Sequence, residues 1–274
     1  MKHTFRPLHY ALIQPAHWHA AAARQSELAK ICARRAESDN EDDDGGPWWK
    51  SEDIWGEALP APQLVGSTAL IPVKGVITSG MPAIYRAIGY ADTDEIGAWI
   101  SHAADDPGVA QIVLSIDSPG GMVTGTPELA SIVAAAELAK PVVAHSKGMM
   151  DSAAYWIASQ ARAIYCTPSA DVGCIGVYQV HYDWTQFMKD FGVSAEIFKS
   201  GDLKAAGHPD IPLSDAQRVH IQAEIDAIGV QFRAAVKTKR TLVEDDSMRG
   251  QSFIGTAAAA RNLVAGLCTL DALL

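Results

Sequence analysis

Residues 109–125 read VAQIVLSIDSPGGMVTG, a nearly continuous apolar run that ends in a glycine-containing turn. The apolar part, Val109–Ile116, is typical of a strand that is covered on both faces of a parallel sheet. Helical and extended patterns alternate after it, at 126–139, at 141–145, after Ser152 and at 163–166. This alternation predicts an α/β fold with right-handed crossovers between parallel strands.

Three further elements flank this stretch. A β-branched run at 69–77 indicates a strand with Pro72 at an edge or bulge, because proline has no N–H to give to a sheet. Residues 93–104 have a polar first turn and one apolar face, which predicts a helix. A long helix is expected to start after Ser214 as its N-cap and to run to about Lys237.

Composition divides the chain into three regions. Residues 1–36 are expected to be a helical N-terminal extension, and residues 37–66 an acidic, tryptophan-containing linker. Residues 67–274 carry the α/β pattern and are expected to form one domain.

The overall composition excludes several classes of protein. The chain has 274 residues, 48% of them hydrophobic, and a net charge of −10, which argues against a nucleic-acid-binding protein. Its four cysteines form no close metal-type pair and no spacing that demands disulfides, so no metal site is expected and a reducing compartment is the default. No cofactor is expected either. No apolar run is long enough to span a membrane, so a cytoplasmic protein without a membrane anchor is expected.

Ser152 lies in GMMDSAAYW at residues 148–156, between a predicted strand and an apolar helical run. The small residues around it would let a substrate backbone approach, and a helix N-terminus favours developing negative charge, as a nucleophile requires. A serine at a helix start is also a common N-cap, so this stretch alone leaves both roles open. Asp151 could orient a neighbouring group, although capping of the helix is its simpler interpretation.

A second candidate stretch is the turn that contains Gly120 and Gly121. Two glycines between a buried strand and a helix free backbone N–H groups that could point at a carbonyl oxygen. Such donors suit an oxyanion hole, where they stabilise charge that develops in the transition state. A tight turn without a catalytic role is the simpler interpretation of these glycines alone.

Taken in order, these motifs resemble one family. Ser-Pro-Gly-Gly at 118–121 and Gly-x₃-Ser-Ala-Ala-Tyr-Trp at 148–156 are similar to motifs of the Clp/crotonase superfamily. Within it, the chain resembles the signal peptide peptidase A family of serine proteases, which includes phage capsid-assembly (prohead) proteases. The resemblance spans roughly residues 68–270 and implies a Clp/crotonase-like fold of repeated β-β-α units.

The resemblance also implies a Ser–Lys dyad. Lys204 matches the lysine of the family motif and is therefore the expected general base for Ser152. The N–H groups of Gly120, Gly121 and Ala153 are the expected oxyanion donors. A lysine in water is almost fully protonated at pH 7, so a lysine that acts as a base must be buried among apolar groups.

Cys174 departs from the family pattern, because the family usually has a serine at this position. That serine is a suitable hydrogen-bond partner for the lysine, and a thiol is a weaker donor and acceptor. Cys174 as the nucleophile is an alternative, as is a Ser–His triad that uses His145 or His181. No motif fixes a histidine beside either nucleophile.

The function implied by the resemblance is cleavage of scaffold and capsid proteins during phage head maturation. A soluble bacterial peptidase of the same family is the first alternative. A crotonase-type acyl-CoA enzyme and a noncatalytic structural protein on the same fold are further alternatives. Related folds assemble into rings, so a homo-oligomer is expected. The expected partners are protein or peptide substrates, with small apolar side chains suited to the narrow surroundings of Ser152.

Overall fold

The structure is a computed structural model, and it describes residues 11–12 and 60–274. The predicted N-terminal helix and most of the acidic linker lie outside the described residues. Gln63–Val65 form an edge strand, so the sheet already begins within the stretch assigned to the linker.

The main sheet is largely parallel. Four parallel strands form its centre, and antiparallel strands close both edges. In spatial order these strands are β2 (Gln63–Val65), β3 (Thr68–Lys74), β6 (Gln111–Ser118), β8 (Val142–Asp151), β10 (Asp171–Gly173) and β11 (Ser252–Ile254). The first half of β8 also pairs with β9 (Ala163–Cys166), and β9 pairs with β12 (Gly266–Leu267).

A second, smaller sheet packs short strands beside the main one. Its strands are, in spatial order, β1 (Ala11–Leu12), β7 (Gly121–Met122), β4 (Val76–Thr78) and β5 (Tyr90–Asp92). Twice, a long strand of the main sheet is followed by a short strand of the second sheet and then by a helix. This repeat is the β-β-α unit of the predicted Clp/crotonase-like fold, and the α/β class is confirmed.

Helices cover the sheets, and the described part of the chain contains seven α-helices. They are α1 (Ala83–Ala87), α2 (Thr93–Asp105), α3 (Thr126–Ala139), α4 (Ala153–Ala158), α5 (Thr185–Asp190), α6 (Asp215–Lys239) and α7 (Gly255–Ala260). The start of α6 is as predicted. The Ser214 hydroxyl accepts a hydrogen bond from the Gln217 N–H, and Gln217 Oε1 accepts one from the Ser214 N–H. This capping box satisfies two N–H groups that the helix itself cannot.

The core lies between the main sheet and the helices α2, α3 and α4. Strand β6 is central, and Ile112, Val113 and Leu114 in it are fully buried, as its continuous apolar run predicts. Every residue of α4 is also buried, so the helix that follows Ser152 passes through the interior of the molecule.

Two predicted strands have different bounds in the structure. The strand predicted at 69–77 divides into β3 and β4 at Gly75, whose added Cβ would lie 1.8 Å from the Gly89 carbonyl oxygen. Pro72 lies within β3 but beyond the end of the short edge strand β2, so its missing N–H breaks no bond to β2.

The strand predicted at 141–145 instead continues to Asp151 as β8. Its second half passes Gly148, where an added Cβ would lie 2.3 Å from Asp117 Oδ1. The glycine thus serves a close approach between neighbouring strands, whereas in the sequence it resembles a turn residue. The extension carries β8 to the residue before Ser152.

None of the helices within residues 60–274 combines the length and the apolar character that a membrane span requires.

Candidate active site

Ser152 occupies the junction between β8 and α4 in a strained backbone conformation. Its φ is 56° and its ψ is −123°, a region that residues with a side chain rarely adopt, at a cost of about 1–3 kcal/mol. The Ser152 N–H donates to the Gly173 carbonyl at 2.8 Å, and its own carbonyl accepts from the Trp156 N–H at 2.9 Å. The side chain makes no capping hydrogen bond, so the N-cap interpretation does not account for this serine.

Buried aromatic contacts hold α4 in place. Trp156 stacks on Phe232 of α6, with ring centroids 4.5 Å apart and an angle of 6° between the rings. The Tyr155 hydroxyl donates to the Leu263 carbonyl at 2.8 Å. Because the backbone of Ser152 is bonded to β10 and to this anchored helix, the position of its hydroxyl-bearing carbon is fixed from both sides.

Ser152 lines a cavity of about 400 Å³. Cys174 and the following residues 175–178 form one wall, and one face of α6 forms another. The turn at 248–250 completes the lining. Ser152 is 1% exposed and forms part of the wall of this cavity, whose volume is within the range of ligand-binding pockets.

The Ser118–Gly121 turn lies at the carboxyl end of β6, beside the end of β8. Ser118 is the register partner of Met150, two residues before Ser152. An added Cβ at Gly121 would lie 2.0 Å from the Ile77 carbonyl oxygen, so only glycine fits there. The Gly120 N–H donates to Ser118 Oγ at 3.1 Å, and neither glycine lines the cavity. The structure thus brings the turn near the serine but leaves one predicted oxyanion donor engaged with a side chain.

Ala153, the third predicted oxyanion donor, is the first residue of α4. The N–H of a first helical residue has no acceptor within its own helix and is available to a ligand. This N–H therefore fits the predicted role better than that of Gly120.

Asp151 is fully buried beneath the junction and does not cap α4. Its Oδ1 accepts from the Ser252 hydroxyl at 2.9 Å, whereas its Oδ2 has no hydrogen-bond partner among the described residues. Burial, and secondarily the nearby Asp171 carboxylate, raises the pKa of Asp151 to about 7, and the Ser252 hydrogen bond opposes this shift. The residue therefore links the backbone of Ser152 to the edge strand β11.

Cys174 lines the cavity together with Ser152, as its predicted position next to the site requires. Its φ is 50°, and its N–H donates to the Gln251 carbonyl at 2.9 Å. The end of β10 therefore contributes to the site through two consecutive residues. The Gly173 carbonyl accepts from the Ser152 N–H, and Cys174 lines the cavity.

Lys204 is not one of the residues that line this cavity. It is exposed in a segment of turns, and the next residue, Ala205, has a φ of 64°. Within residues 60–274 the Lys204 side chain forms no hydrogen bond or ion pair, and it does not line the cavity. No hydrogen bond joins the Lys204 and Ser152 side chains within residues 60–274, so the dyad stays a prediction.

The histidines considered for a triad also lie elsewhere. His145 is buried, and its Nε2 is 3.1 Å from the Cys268 carbonyl oxygen, which makes it part of the packing of the C-terminal segment. His181 is not part of the cavity, and in the part of the chain that the structure describes no histidine lines it. The geometry gives the triad alternative no support.

One face of α6 contributes site residues that were not predicted. Asp226, Gly229 and Arg233 line the cavity, although in the sequence this helix shows only its apolar side. Gly229 in the middle of this 25-residue helix is the one sequence feature that could have indicated them. A glycine there lowers helix stability by about 1 kcal/mol relative to alanine, which suggests a role other than helix formation.

Comparison of this sequence with known protein families supports the resemblance drawn from the motifs around Ser152, Cys174 and Lys204. The model of peptidase family S49 matches residues 134–274, which is just over half of the chain and includes Ser152, Cys174 and Lys204. The chain belongs to peptidase family S49. The predicted relationship to signal peptide peptidase A and to phage capsid proteases is confirmed at the level of the family.

Two curated relatives and one solved structure illustrate the range of similar proteins. Capsid assembly protease C of Escherichia phage lambda is 34% identical over 174 residues, covering 64% of this chain and 40% of the relative. Protease 4 of Salmonella typhi is 29% identical over 215 residues, covering 75% of this chain and 33% of the relative. A crystal structure of an enoyl-CoA hydratase/isomerase family member has a TM-score of 0.43 and 17% identity, covering 76% of this chain and 69% of that one. The chain thus spans less than half the length of these two curated relatives.

Proposed function

We propose that this chain is a serine endopeptidase in which Ser152 is the nucleophile. The observation that carries the proposal is the strained junction between β8 and α4. It holds a serine at positive φ, leaves its side chain without a capping role and opens it to a cavity. Strain of this kind persists only where the surrounding structure enforces it, and it is concentrated at functional sites. Membership of a peptidase family supports the same role.

The chemistry requires a base and an oxyanion site. The Ser152 oxygen bonds to the substrate carbonyl carbon while its proton passes to Lys204 Nζ, and the carbonyl oxygen becomes an oxyanion. The Ala153 N–H, which has no acceptor within α4, stabilises this charge, and the Gly120 N–H could join it only after Ser118 releases it. When this tetrahedral intermediate collapses, the C–N bond breaks and Lys204 gives its proton to the leaving amine. The acyl group stays on Ser152 as an ester, which water then hydrolyses.

We further propose that Lys204 acts on Ser152 of a second copy. Lys204 is exposed in its own subunit, and the segment that carries it exposes many large apolar side chains. These are Val180, Tyr182, Trp184, Phe187, Phe191, Val193, Ile197, Phe198 and Leu203. An apolar surface of this extent is typical of an interface, and burial in an interface would supply the apolar surroundings that a neutral lysine needs.

The dyad is tested with two single variants and their mixture. Ser152→Ala and Lys204→Ala should each abolish cleavage of a denatured protein substrate while leaving the circular dichroism spectrum unchanged. Co-refolding the two inactive variants in equal amounts should restore activity at about a quarter of the sites, because random assembly pairs an intact serine with an intact lysine that often. Retained activity in Ser152→Ala would overturn the nucleophile. A mixture without activity would place Lys204 in its own subunit or outside the reaction.

The biological role we propose is processing of scaffold and capsid proteins during phage head assembly, in the host cytoplasm or the procapsid. The similarity to capsid assembly protease C of phage lambda supports this role. The similarity to Protease 4, which extends over more of this chain, favours a general bacterial peptidase as the second candidate. Incubation with candidate scaffold and capsid chains, followed by mass-spectrometric mapping of the cuts, separates the two. Discrete cuts in native scaffold support the first role, and cuts confined to unfolded proteins support the second.

A further inference from the structure

The face of α6 that lines the Ser152 cavity carries two charges. Asp226 and Arg233 are seven residues apart, which on a helix corresponds to two turns and roughly 10 Å along its axis. The two charges therefore stand at opposite ends of one wall. A substrate in the cavity would meet the Arg233 guanidinium at one end and the Asp226 carboxylate at the other.

The Arg233 guanidinium lies against Gly229 at this wall. A Cβ added at Gly229 would lie 3.2 Å from Arg233 Nη1, closer than ordinary side-chain contacts. The guanidinium therefore folds back over the preceding turn of the helix, beside Gly229, which is buried and also lines the cavity. A glycine inside a helix costs about 1 kcal/mol relative to alanine, so the position is unfavourable for the helix itself.

The carboxylates near Arg233 pair with other cations. Arg233 borders a second cavity, whose lining includes Lys237, Arg249, Asp245 and Asp246. Lys237 pairs with Asp245 at 3.1 Å, and Arg249 pairs with Asp246 at 3.2 Å. Both carboxylates are thus engaged, and within residues 60–274 Arg233 forms neither an ion pair nor a hydrogen bond.

We propose that Arg233 is a specificity-determining residue that selects substrates with an acidic side chain close to the scissile bond. The inference rests on the proposed peptidase function and names the substrate class of that site. A half-buried guanidinium presents several N–H donors in one plane, which matches a carboxylate with two parallel hydrogen bonds. The small residues beside Ser152 restrict the substrate side chain that lies next to the nucleophile. Arg233 would contact a different substrate side chain, farther along the cavity.

The test starts with the natural preference. The full chain is incubated with a denatured protein mixture, and the cut sites are mapped by mass spectrometry. Asp and Glu should be enriched at one position within a few residues of the cut. A pair of peptides that differ only by Glu or Gln at that position is then used to measure kcat/KM.

Arg233→Gln should lower kcat/KM for the Glu peptide by about 10- to 100-fold, because glutamine keeps one donor but loses the charge and the second hydrogen bond, and should leave the Gln peptide nearly unchanged. Arg218→Gln is the matched control, because Arg218 is an exposed arginine of the same helix outside the cavity.

The outcomes separate the inference from the function on which it rests. No cleavage of any substrate by the intact chain overturns the proposed peptidase, and this inference with it. Efficient cleavage without enrichment of acidic residues overturns the inference alone. An acidic preference that survives in Arg233→Gln does the same, because another residue must then read the carboxylate.

Discussion

The backbone strain at Ser152 has a consequence for stability that can be measured. Glycine adopts φ 56° and ψ −123° without the steric penalty that a side chain incurs, whereas alanine keeps the penalty. Ser152→Gly should therefore be more stable than Ser152→Ala by about 1 kcal/mol, after the greater freedom of glycine in the unfolded chain is subtracted. Urea unfolding of the two inactive variants measures the difference. Equal stability, or a more stable alanine variant, would show that the junction is not strained.

The buried carboxyl of Asp151 should make stability depend on pH. Its folded pKa, raised to about 7, exceeds the ordinary value of 3.8, so the folded state keeps a proton that the unfolded state releases. Its contribution is therefore constant below about pH 4, falls as the pH rises towards 7, and is constant again above that.

Asp151→Asn removes this titration and keeps an oxygen that can accept from Ser252. Between pH 5 and pH 8 the unfolding free energy of the parent chain, relative to that of the variant, should fall by about 2–3 kcal/mol. Chemical denaturation at both pH values provides the comparison. A difference that stays constant with pH would mean that the Asp151 carboxyl ionises normally.

Among the elements, α4 depends on α6 for its position. Phe232 is fully buried against Trp156, and truncation of a buried aromatic side chain typically costs about 3–5 kcal/mol. Phe232→Ala should cost this much and should also lower kcat, because α4 carries the Ala153 N–H and follows Ser152 directly. Val230→Ala on the same helix is the control, since Val230 is 59% exposed and its truncation should change stability by less than about 0.5 kcal/mol. Thermal melts of both variants check the prediction, and equal melting temperatures would contradict it.

The elements also show what could be predicted from the sequence. Helix α3 and strand β9 lie where the alternation of strands and helices predicts them, because clear turn residues flank each one. The second half of β8 could not be predicted, since Gly148 is explained only by the approach of Asp117 from the neighbouring strand. The two-residue strand β7 likewise depends on register rather than on its own composition.

The candidate site follows the same division. Ser152 and Cys174 could be identified from motifs because each occupies a fixed place at a strand end, and both line the cavity. The contribution of Arg233 depends on how α6 crosses the site, which no local pattern encodes. The pairing of Lys204 with Ser152 stays a prediction, and we propose that it depends on assembly.

At the scale of the whole molecule, the apolar segment at 180–203 predicts an oligomer whose integrity is required for activity. Phe198 is 88% exposed within this segment, and a charge at this position would have to be buried without a partner in an interface. Phe198→Glu should therefore shift the sedimentation profile from an oligomer to a monomer with an unchanged circular dichroism spectrum. Since we place Lys204 of one copy beside Ser152 of another, the monomer should also lose peptidase activity.

Leu138 provides the matched control for this prediction. It is 87% exposed at the end of α3, so Leu138→Glu introduces the same charge at an equally exposed apolar position outside the segment. This variant should remain oligomeric and active. If Phe198→Glu were monomeric but fully active, each subunit would hold a complete site, and the exposed apolar segment would serve a purpose other than catalysis. If the parent chain itself sedimented as an active monomer, the base for Ser152 would have to come from the same copy.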